Sequence, residues 1–271
     1  MFRERGVEIK TPEQIRLMRK AGLVVGETLE LMRRTVRPGI TTGELDAVAE
    51  DHIRSQGAVP SFKGYHGFPG SLCVSVNDEV VHGIPGDRVI ADGDVVSIDC
   101  GAIVEGWHGD AAVTVAVGEV PEEVRELIRV TEEAMWHGIA AARLGGRVTD
   151  ISHAVETYVN SQGSYGILED YVGHGIGSAM HQPPNVPNYG KPGRGPRLVR
   201  GLALAVEPMV VLGSPDTRIL EDDWTVVTED GRWAAHAENT FTLTENGAWV
   251  LTALDGGEAK LTELGVPFGG S

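Results

Sequence analysis

The sequence predicts an α+β fold, built from helices interleaved with antiparallel strands. Three observations lead to this prediction: capping sequences that begin helices, short β-rich segments between the helices, and an internal repeat. The Asn246-Gly247 pair, flanked by apolar and alternating residues, adds a hairpin signal near the end of the chain. Helices mixed with hairpin-connected strands are typical of the α+β class.

Two segments carry clear helix signals. Thr11 suits an N-cap, Pro12 suits the first helical position, and Gln14 completes a capping box. A second helix is expected over about residues 42–55, where apolar side chains recur at helical spacing. Gly57 is expected to end that helix.

The second helix recurs later in the chain. A shift of 106 positions (151 − 45 and 159 − 53) places Leu45 on Ile151 and Ile53 on Val159. Matching apolar positions in two distant segments indicate two duplicated halves.

This repeat leads to a prediction for the domain organisation. We expect one domain over residues 1–271, with halves at about 11–142 and 143–254. A site is expected where the halves meet, because pockets commonly form at such junctions. The tail from Asp255 is glycine-rich and is expected to fray.

The segments between and after the helices read as strands. They are rich in β-branched residues or alternate between apolar and polar positions. Strands are therefore expected near residues 94–100, 111–117, 202–207, 238–244 and 249–251.

Composition narrows the class of protein. With 271 residues and 41% hydrophobic content, the chain can bury a sizeable core. A formal net charge of −16 disfavours general nucleic-acid binding, which usually needs a basic face. No membrane helix and no secretory signal are expected. Two cysteines cannot form a disulfide framework, so we expect a cytoplasmic protein.

Asp99 and Asp110 are the first candidate metal ligands. Val104-Glu105-Gly106 lies between them, and a hairpin turning there would place the two carboxylates directly opposite each other. Like charges that close need neutralisation, and a divalent cation is one solution. The alternative is that Asp110 caps a turn while Asp99 is solvated.

Three further residues are candidate ligands. Glu207 follows an apolar run, and Glu238 begins a strand with small or apolar neighbours, so either carboxylate would be costly to bury unpaired. His174 lies between glycines, which let the backbone approach an ion and adopt unusual dihedral angles. Taken singly, each has a simpler interpretation: a strand-end glutamate facing water, or a turn histidine.

Together the five residues form an oxygen-rich donor set. Four carboxylates and one imidazole differ from the Cys/His set of a structural zinc site. They suit Co, Mn, Fe(II) or Zn, and shared carboxylates suit two ions a few Å apart. His82 and His181 lie in segments expected to be loops, where catalytic groups concentrate.

The chain resembles the type I methionine aminopeptidases, metallopeptidases of the "pita-bread" fold, over about residues 7–252. The joint order Asp–Asp–His–Glu–Glu carries most of this resemblance. The matching motifs are Gly64-Tyr65-His66-Gly67-Phe68-Pro69, Asn77-Asp78-Glu79-Val80-Val81-His82-Gly83-Ile84-Pro85, Gly106-Trp107-His108-Gly109-Asp110, Gly173-His174-Gly175-Ile176-Gly177, Val206-Glu207-Pro208-Met209-Val210 and Glu238-Asn239-Thr240.

The resemblance implies a role for each ligand. Asp110 and Glu238 would bridge two divalent ions, Asp99 would complete one of them, and His174 and Glu207 the other. Glu207 would also act as general base and then acid.

The resemblance also implies the substrate contacts. His181 would stabilise the scissile carbonyl, and His82 would contact the substrate near its amine. The methionine pocket maps onto Tyr65, Phe68, Cys73, Met180, His181 and Trp224, where Met180 departs from the aromatic residue common in related enzymes.

The implied reaction is removal of the N-terminal methionine from peptides or nascent proteins, with a small second residue preferred. The absence of a zinc-finger-like N-terminal extension resembles the short bacterial form. We expect a monomer.

Two competing interpretations remain. An aminopeptidase P or prolidase relative shares the ligand order, but those enzymes usually carry a large N-terminal domain, and only about sixty residues precede Tyr65. A non-catalytic pita-bread binding protein would lose ligands, whereas all five ligand positions are filled here.

One basic segment stands out in this acidic chain. Residues 189–200 hold four basic residues and no acid: Lys191, Arg194, Arg197 and Arg200. The simple interpretation is a solvated loop near the site mouth. A sharper one is an electrostatic contact with ribosomal RNA near the exit tunnel, where nascent chains emerge.

Overall fold

A computed structural model describes residues 6–270 of the chain. The helices are α1 (Pro12–Thr35), α2 (Thr42–Ser55), α3 (Glu122–Ala141), α4 (Val148–Gln162) and α5 (Glu258–Glu263). Thr11 caps α1, and Gln14 completes the capping box, as predicted. No helix in this described range is long and apolar enough to cross a membrane.

The strands are short apart from one long hairpin. They are β1 (Val59–Pro60), β2 (Leu72–Val76), β3 (Glu79–Val81), β4 (Val95–Val104), β5 (Trp107–Ala116), β6 (Gly166–Ile167), β7 (Gly173–Gly175), β8 (Gln182–Val186), β9 (Ala203–Val206), β10 (Met209–Val211), β11 (Thr217–Ile219), β12 (Val226–Thr228), β13 (Ala234–His236), β14 (Glu238–Leu243) and β15 (Ala248–Val250). The five predicted strand segments are confirmed.

One large antiparallel sheet organises the chain. Its order is β1-β4-β5-β14-β9-β7-β8, with β2 paired to β4 and β15 to β14. Two three-stranded sheets, β13-β10-β6 and β11-β12-β3, complete the β structure of the described residues. The α+β class is confirmed.

The helices cover one face of the large sheet. A Cβ atom on Gly109 of β5 would lie only 2.8 Å from the backbone nitrogen of Gly22 in α1. Gly109 therefore faces the helix at close range, and the next side chain, Asp110, points to the opposite face, because strand side chains alternate. The helices thus leave the other face of the sheet for the site.

The helix pairs follow the predicted repeat. Leu45 and Ile53 of α2, and Ile151 and Val159 of α4, are all fully buried. They pack in separate apolar clusters, one under each helix pair. The division into halves at 11–142 and 143–254 stays a prediction.

The prediction of a frayed tail from Asp255 is wrong. Gly256 and Gly257 turn the chain with positive φ angles of 74° and 84°, which glycine adopts without strain. Helix α5 then buries Leu261 completely and joins α3 through an ion pair from Lys260 Nζ to Glu133 Oε1, at 2.6 Å. The burial of Leu261 and this ion pair hold the segment in place despite its glycine content.

Candidate metal centre

The predicted ligands lie on, or directly after, five neighbouring strands of the large sheet. In spatial order, β4 carries Asp99, β5 carries Asp110, β14 begins with Glu238, β9 leads into Glu207, and β7 carries His174. The structure therefore brings together residues that lie up to 139 positions apart in the sequence (238 − 99).

The register of the β4–β5 hairpin differs from the prediction. Asp99 pairs with Ala112, and Asp110 pairs with Gly101, so the two carboxylates are diagonal neighbours. The turn consists of Glu105 and Gly106, with φ angles of 50° and 83°, so each partner lies two positions further along than expected. A shift of two residues keeps both side chains on the same face.

Glu207 and Glu238 lie opposite each other on neighbouring strands. Asn239 of β14 pairs with Val206 of β9, and His236 of β13 pairs with Met209 of β10. Both pairs follow one antiparallel register. That register places Glu238 beside Glu207 and turns both carboxylates to one face of the sheet.

His174 joins this pair from the far side of β9. It pairs with Ala205, two positions before Glu207, and its Nε2 lies 3.2 Å from Glu207 Oε1 and 4.0 Å from Glu238 Oε1. The Nδ1 atom lies 3.0 Å from the Gly175 carbonyl oxygen. A ring that donates from Nδ1 leaves Nε2 free to bind a metal.

The glycines beside His174 serve close packing. The unusual dihedral angles predicted for them are absent, since neither Gly173 nor Gly175 has a positive φ. A Cβ atom on Gly173 would lie 2.3 Å from the Ala205 carbonyl oxygen, and one on Gly175 would lie 2.3 Å from that of Pro183. Glycine thus allows strand β7 to fit between its neighbours.

The donor atoms fall into groups of the size that a metal ion requires. Asp99, Asp110 and Glu238 form one group, and His174, Glu207 and Glu238 form another, with donor atoms within 4.8 Å of one another. Glu238 belongs to both groups. A third group joins Asp110 and His174 to His181.

Buried atoms without partners show that these residues fit a cation. Asp99 Oδ1, Asp110 Oδ1 and Glu238 Oε1 are buried and have no hydrogen-bond partner among the described residues. Buried carboxylate oxygens in that state are unfavourable unless protons or metal ions neutralise them. Hard oxygen donors together with one imidazole match divalent ions such as Mn, Fe(II), Co or Zn.

The proximity of the acids perturbs their titration. Burial, with the nearby charge of Glu207, raises the pKa of Asp99 to about 8. Burial and the neighbouring carboxylates raise the pKa of Asp110 and of Glu238 well above the ordinary range. Burial alone would lower the pKa of His174, but the hydrogen bond and charge of Glu207 outweigh it and raise that pKa. Without metal, these carboxyl groups and His174 therefore remain protonated to a higher pH than the same groups in an unfolded chain.

A cluster of apolar side chains, which the sequence predicts to form the methionine pocket, adjoins the acidic cluster. Phe68, Cys73 and Met180 are buried there, and Tyr65 and Trp224 pack against them half-buried. Cys73 of β2 pairs directly with Asp99 of β4, so the pocket begins at the first ligand. The structure thus brings together all five apolar pocket residues proposed from the sequence.

His82 and His181 lie at the rim of this pocket. The His181 ring centroid is 4.4 Å from that of His174, and His181 Nδ1 is 2.8 Å from Tyr65 Oη. His82 stands edge-on to Trp224, with a centroid separation of 6.3 Å, and has a positive φ of 60°. His181 therefore lies between the apolar pocket and the acidic cluster, and His82 borders the pocket at Trp224.

The sequence matches the model of Metallopeptidase family M24 over residues 16–245. This chain belongs to that family. A methionine aminopeptidase of Clostridium acetobutylicum is 54% identical to this M24 metallopeptidase over 245 residues, which cover 90% of this chain and 98% of the relative.

Solved structures agree with the family assignment. A methionine aminopeptidase of Thermotoga maritima has a TM-score of 0.89 and 44% identity, covering 91% of this M24 chain and 99% of its own. A prolidase of Pyrococcus furiosus, at 24% identity, has a TM-score of 0.72 and covers 90% of this chain and 65% of its own. The prolidase shows a shared fold, which confirms the predicted pita-bread architecture.

Three residues of the M24 site were missed from the sequence. Phe62 and Ile84 belong to the apolar pocket. His236 is buried, and its Nε2, which has no hydrogen-bond partner among residues 6–270, lies 3.9 Å from both Glu207 Oε2 and Glu238 Oε2. A histidine inside the apolar run Ala234–Ala237 was the one sequence signal for it.

Metal should stabilise this metallopeptidase more strongly as pH rises. A carboxyl whose pKa is raised in the folded state holds protons that the unfolded chain releases, so stability falls as pH rises from about 4 toward the raised value. For Asp99 that window ends at about 8. The raised pKa of His174 acts in the same direction, since its stabilising proton is lost at high pH.

Thermal unfolding at pH 5, 6.5 and 8 tests this expectation. The gain in Tm on replacing chelator with Mn²⁺ or Co²⁺ should increase from pH 5 to pH 8. An equal gain at all three pH values would contradict the proton-retaining cluster.

Proposed function

We propose that this chain is a methionyl aminopeptidase that uses two divalent metal ions to remove the N-terminal methionine from peptides and nascent proteins. The supporting observation is the apolar cluster that packs beside the five-residue donor cluster, with Cys73 paired to Asp99. An unbranched, flexible methionine side chain suits a pocket of aromatic and thioether groups.

The two donor groups support the proposed ligand roles. Asp99, Asp110 and Glu238 would hold one ion, and His174 and Glu207, together with Glu238, would hold the other. Such a pair of ions lowers the pKa of water and polarises a carbonyl group.

The side chains of this protein would do the remaining work. The substrate amine would lie near Asp99 and His82, which fixes the chain end and makes the enzyme an exopeptidase. Glu207, with 14% of its side chain exposed, would take a proton from the attacking water and deliver it to the leaving amine. His181 would donate to the carbonyl oxygen as negative charge develops there.

A peptide panel tests the proposed specificity. The metal-loaded protein should cleave Met-Ala-Ser with release of free methionine, and should do so faster than Met-Leu-Ser, since a small second residue is preferred. The panel should include an Ala-Pro substrate, because prolidases share the fold. Cleavage of Ala-Pro without cleavage of Met-Ala-Ser would reverse the proposal in favour of a prolidase-type enzyme. Metal-independent partner binding without turnover would favour a binding protein.

The basic segment remains a proposed contact with ribosomal RNA. Lys191, Arg194 and Arg197 are exposed, whereas Arg200 pairs with Glu245 in the turn between β14 and β15. Reversing the charge of Lys191, Arg194 and Arg197 should weaken co-sedimentation with ribosomes, and the loss should be greatest at low salt. Reversal of Arg16 and Lys20 on α1, compared with reversal of Lys191 and Arg194 alone, is a control for the added negative charge. Unchanged co-sedimentation of the triple variant would exclude this contact.

A further inference from the structure

We propose that Glu8 and Lys10 form a clamp that fixes the segment 177–182 and thereby positions Met180 and His181 at the substrate site. The inference rests on the proposed function, because it assigns these two residues to substrate binding and carbonyl stabilisation. Glu8 and Lys10 are positioning residues in this account, since they act through the segment and do not reach the substrate pocket themselves.

Glu8 holds the segment at both ends. Its Oε2 accepts hydrogen bonds from the Ser178 backbone nitrogen at 3.1 Å and from Gln182 Nε2 at 2.9 Å. Its Oε1 accepts one from Ser178 Oγ at 2.7 Å. Ser178 and Gln182 bracket Met180 and His181, so one carboxylate ties down both flanks of the functional pair.

Lys10 supports this carboxylate from inside the protein. Its Nζ lies 3.6 Å from Glu8 Oε2 and donates to Gln182 Oε1 at 3.3 Å, and its side chain is only 1% exposed. The Lys10 backbone nitrogen donates to the Gly201 carbonyl oxygen at 2.8 Å, which anchors the clamp to the body of the sheet. A buried ammonium group is unfavourable without such partners, so the observed contacts indicate one fixed arrangement.

The packing at Gly177 indicates how closely the clamp fits. A Cβ atom at this position would lie 2.2 Å from Glu8 Oε2 and 2.3 Å from Lys10 Cε. An alanine at this position would therefore have to displace the end of the Glu8 or the Lys10 side chain. This contact offers a way to disturb the clamp from the segment side.

The contacts of the functional pair explain why its position matters. Met180 is 3% exposed within the apolar pocket, and His181 Nδ1 lies 2.8 Å from Tyr65 Oη. A shift of the segment would move the pocket wall and the imidazole together. The five donor residues lie on strands or directly after one, outside the segment, so we expect metal binding to be independent of the clamp.

The experiment uses the full chain loaded with Mn²⁺ or Co²⁺ and three variants: Glu8→Gln, Lys10→Met and Gly177→Ala. The control is Glu13→Gln, which breaks an exposed ion pair with Arg16 on the same part of the chain. We expect each clamp variant to lower kcat on Met-Ala-Ser at least tenfold and to reduce the preference for Met-Ala-Ser over Leu-Ala-Ser. Metal affinity by calorimetry should stay within about twofold of the parent, and the control should match the parent.

A second measurement does not depend on activity. Hydrogen exchange of the amides in residues 177–182 should accelerate at least tenfold in the clamp variants while strand β4 stays protected. A lower Tm with unchanged kcat, substrate preference and exchange in this segment would show a merely structural role and overturn the inference. Failure of the parent protein to cleave Met-Ala-Ser would overturn the proposed function instead, and the exchange result would still decide whether the clamp exists.

Discussion

Glu207→Gln should lower kcat on Met-Ala-Ser by roughly 10³-fold, within the usual range for loss of a general base. The amide has nearly the same shape as the carboxylate but cannot accept and return a proton. It is also a weaker metal ligand, and in the structure it would face His174 Nε2 at 3.2 Å. The Glu207→Gln variant therefore lacks the group that carries the proton, even if the geometry of the site is preserved.

A measurement of bound metal distinguishes the role of Glu207 as a proton carrier from its role as a metal ligand. Kinetics should be measured at saturating metal, with bound metal counted in the same sample and Glu245→Gln as a control on an exposed carboxylate. Retention of more than a tenth of the parent kcat with full metal content would remove Glu207 from the proton-transfer step.

His181→Ala should lower kcat by about 10²- to 10³-fold, the loss typical for one hydrogen-bond donor to a developing oxyanion. Burial first, and then the charge of His174, lowers the pKa of His181 to about 3, so the ring is neutral at working pH. Burial raises the pKa of Tyr65, which keeps its hydroxyl protonated. When that hydroxyl donates to His181 Nδ1, the ring proton lies on Nε2 and can serve the substrate oxygen.

A comparison of rate and metal affinity decides the role of His181. Its position near Asp110 and His174 would also allow direct metal binding. We expect metal affinity to fall far less than kcat in His181→Ala, and Tyr65→Phe to give a smaller loss of kcat through the ring orientation alone. Equal losses of metal affinity and rate would make His181 a ligand.

Local signals and the internal repeat predicted three of the five helices and five of the fifteen strands in residues 6–270. The capping box at Thr11 and the turn residues predicted a helix start and the hairpins within a few residues, because these features depend on short-range contacts. The tail from Asp255 was misjudged because its order comes from Leu261, which is buried against distant parts of the chain.

The proposed ligand set could be predicted from the sequence for a different reason. The hairpin estimate for Asp99 and Asp110 was off by two residues, yet it gave the correct face, since strand faces repeat every second residue. A deviation of one residue would have separated the two carboxylates. For Glu207 and Glu238, the order of motifs was needed, because their pairing joins distant segments.

The missed residues share a physical cause. Phe62, Ile84 and His236 acquire their roles from tertiary packing. Only His236 carries a local signal, because it lies within an apolar run. An apolar residue in a pocket and one in an ordinary core look alike in a single sequence.

The placement of Glu238 has a consequence for the order of events during synthesis. Strand β14 is the last of the five ligand-bearing segments to be made, yet it lies between β5 and β9 in the sheet. Until it inserts, the segments on its two sides have no shared carboxylate and no common ladder. A growing chain that ends before residue 238 therefore carries four of the five proposed donors, and we expect peptidase activity to begin only when nearly the whole polypeptide has left the ribosome.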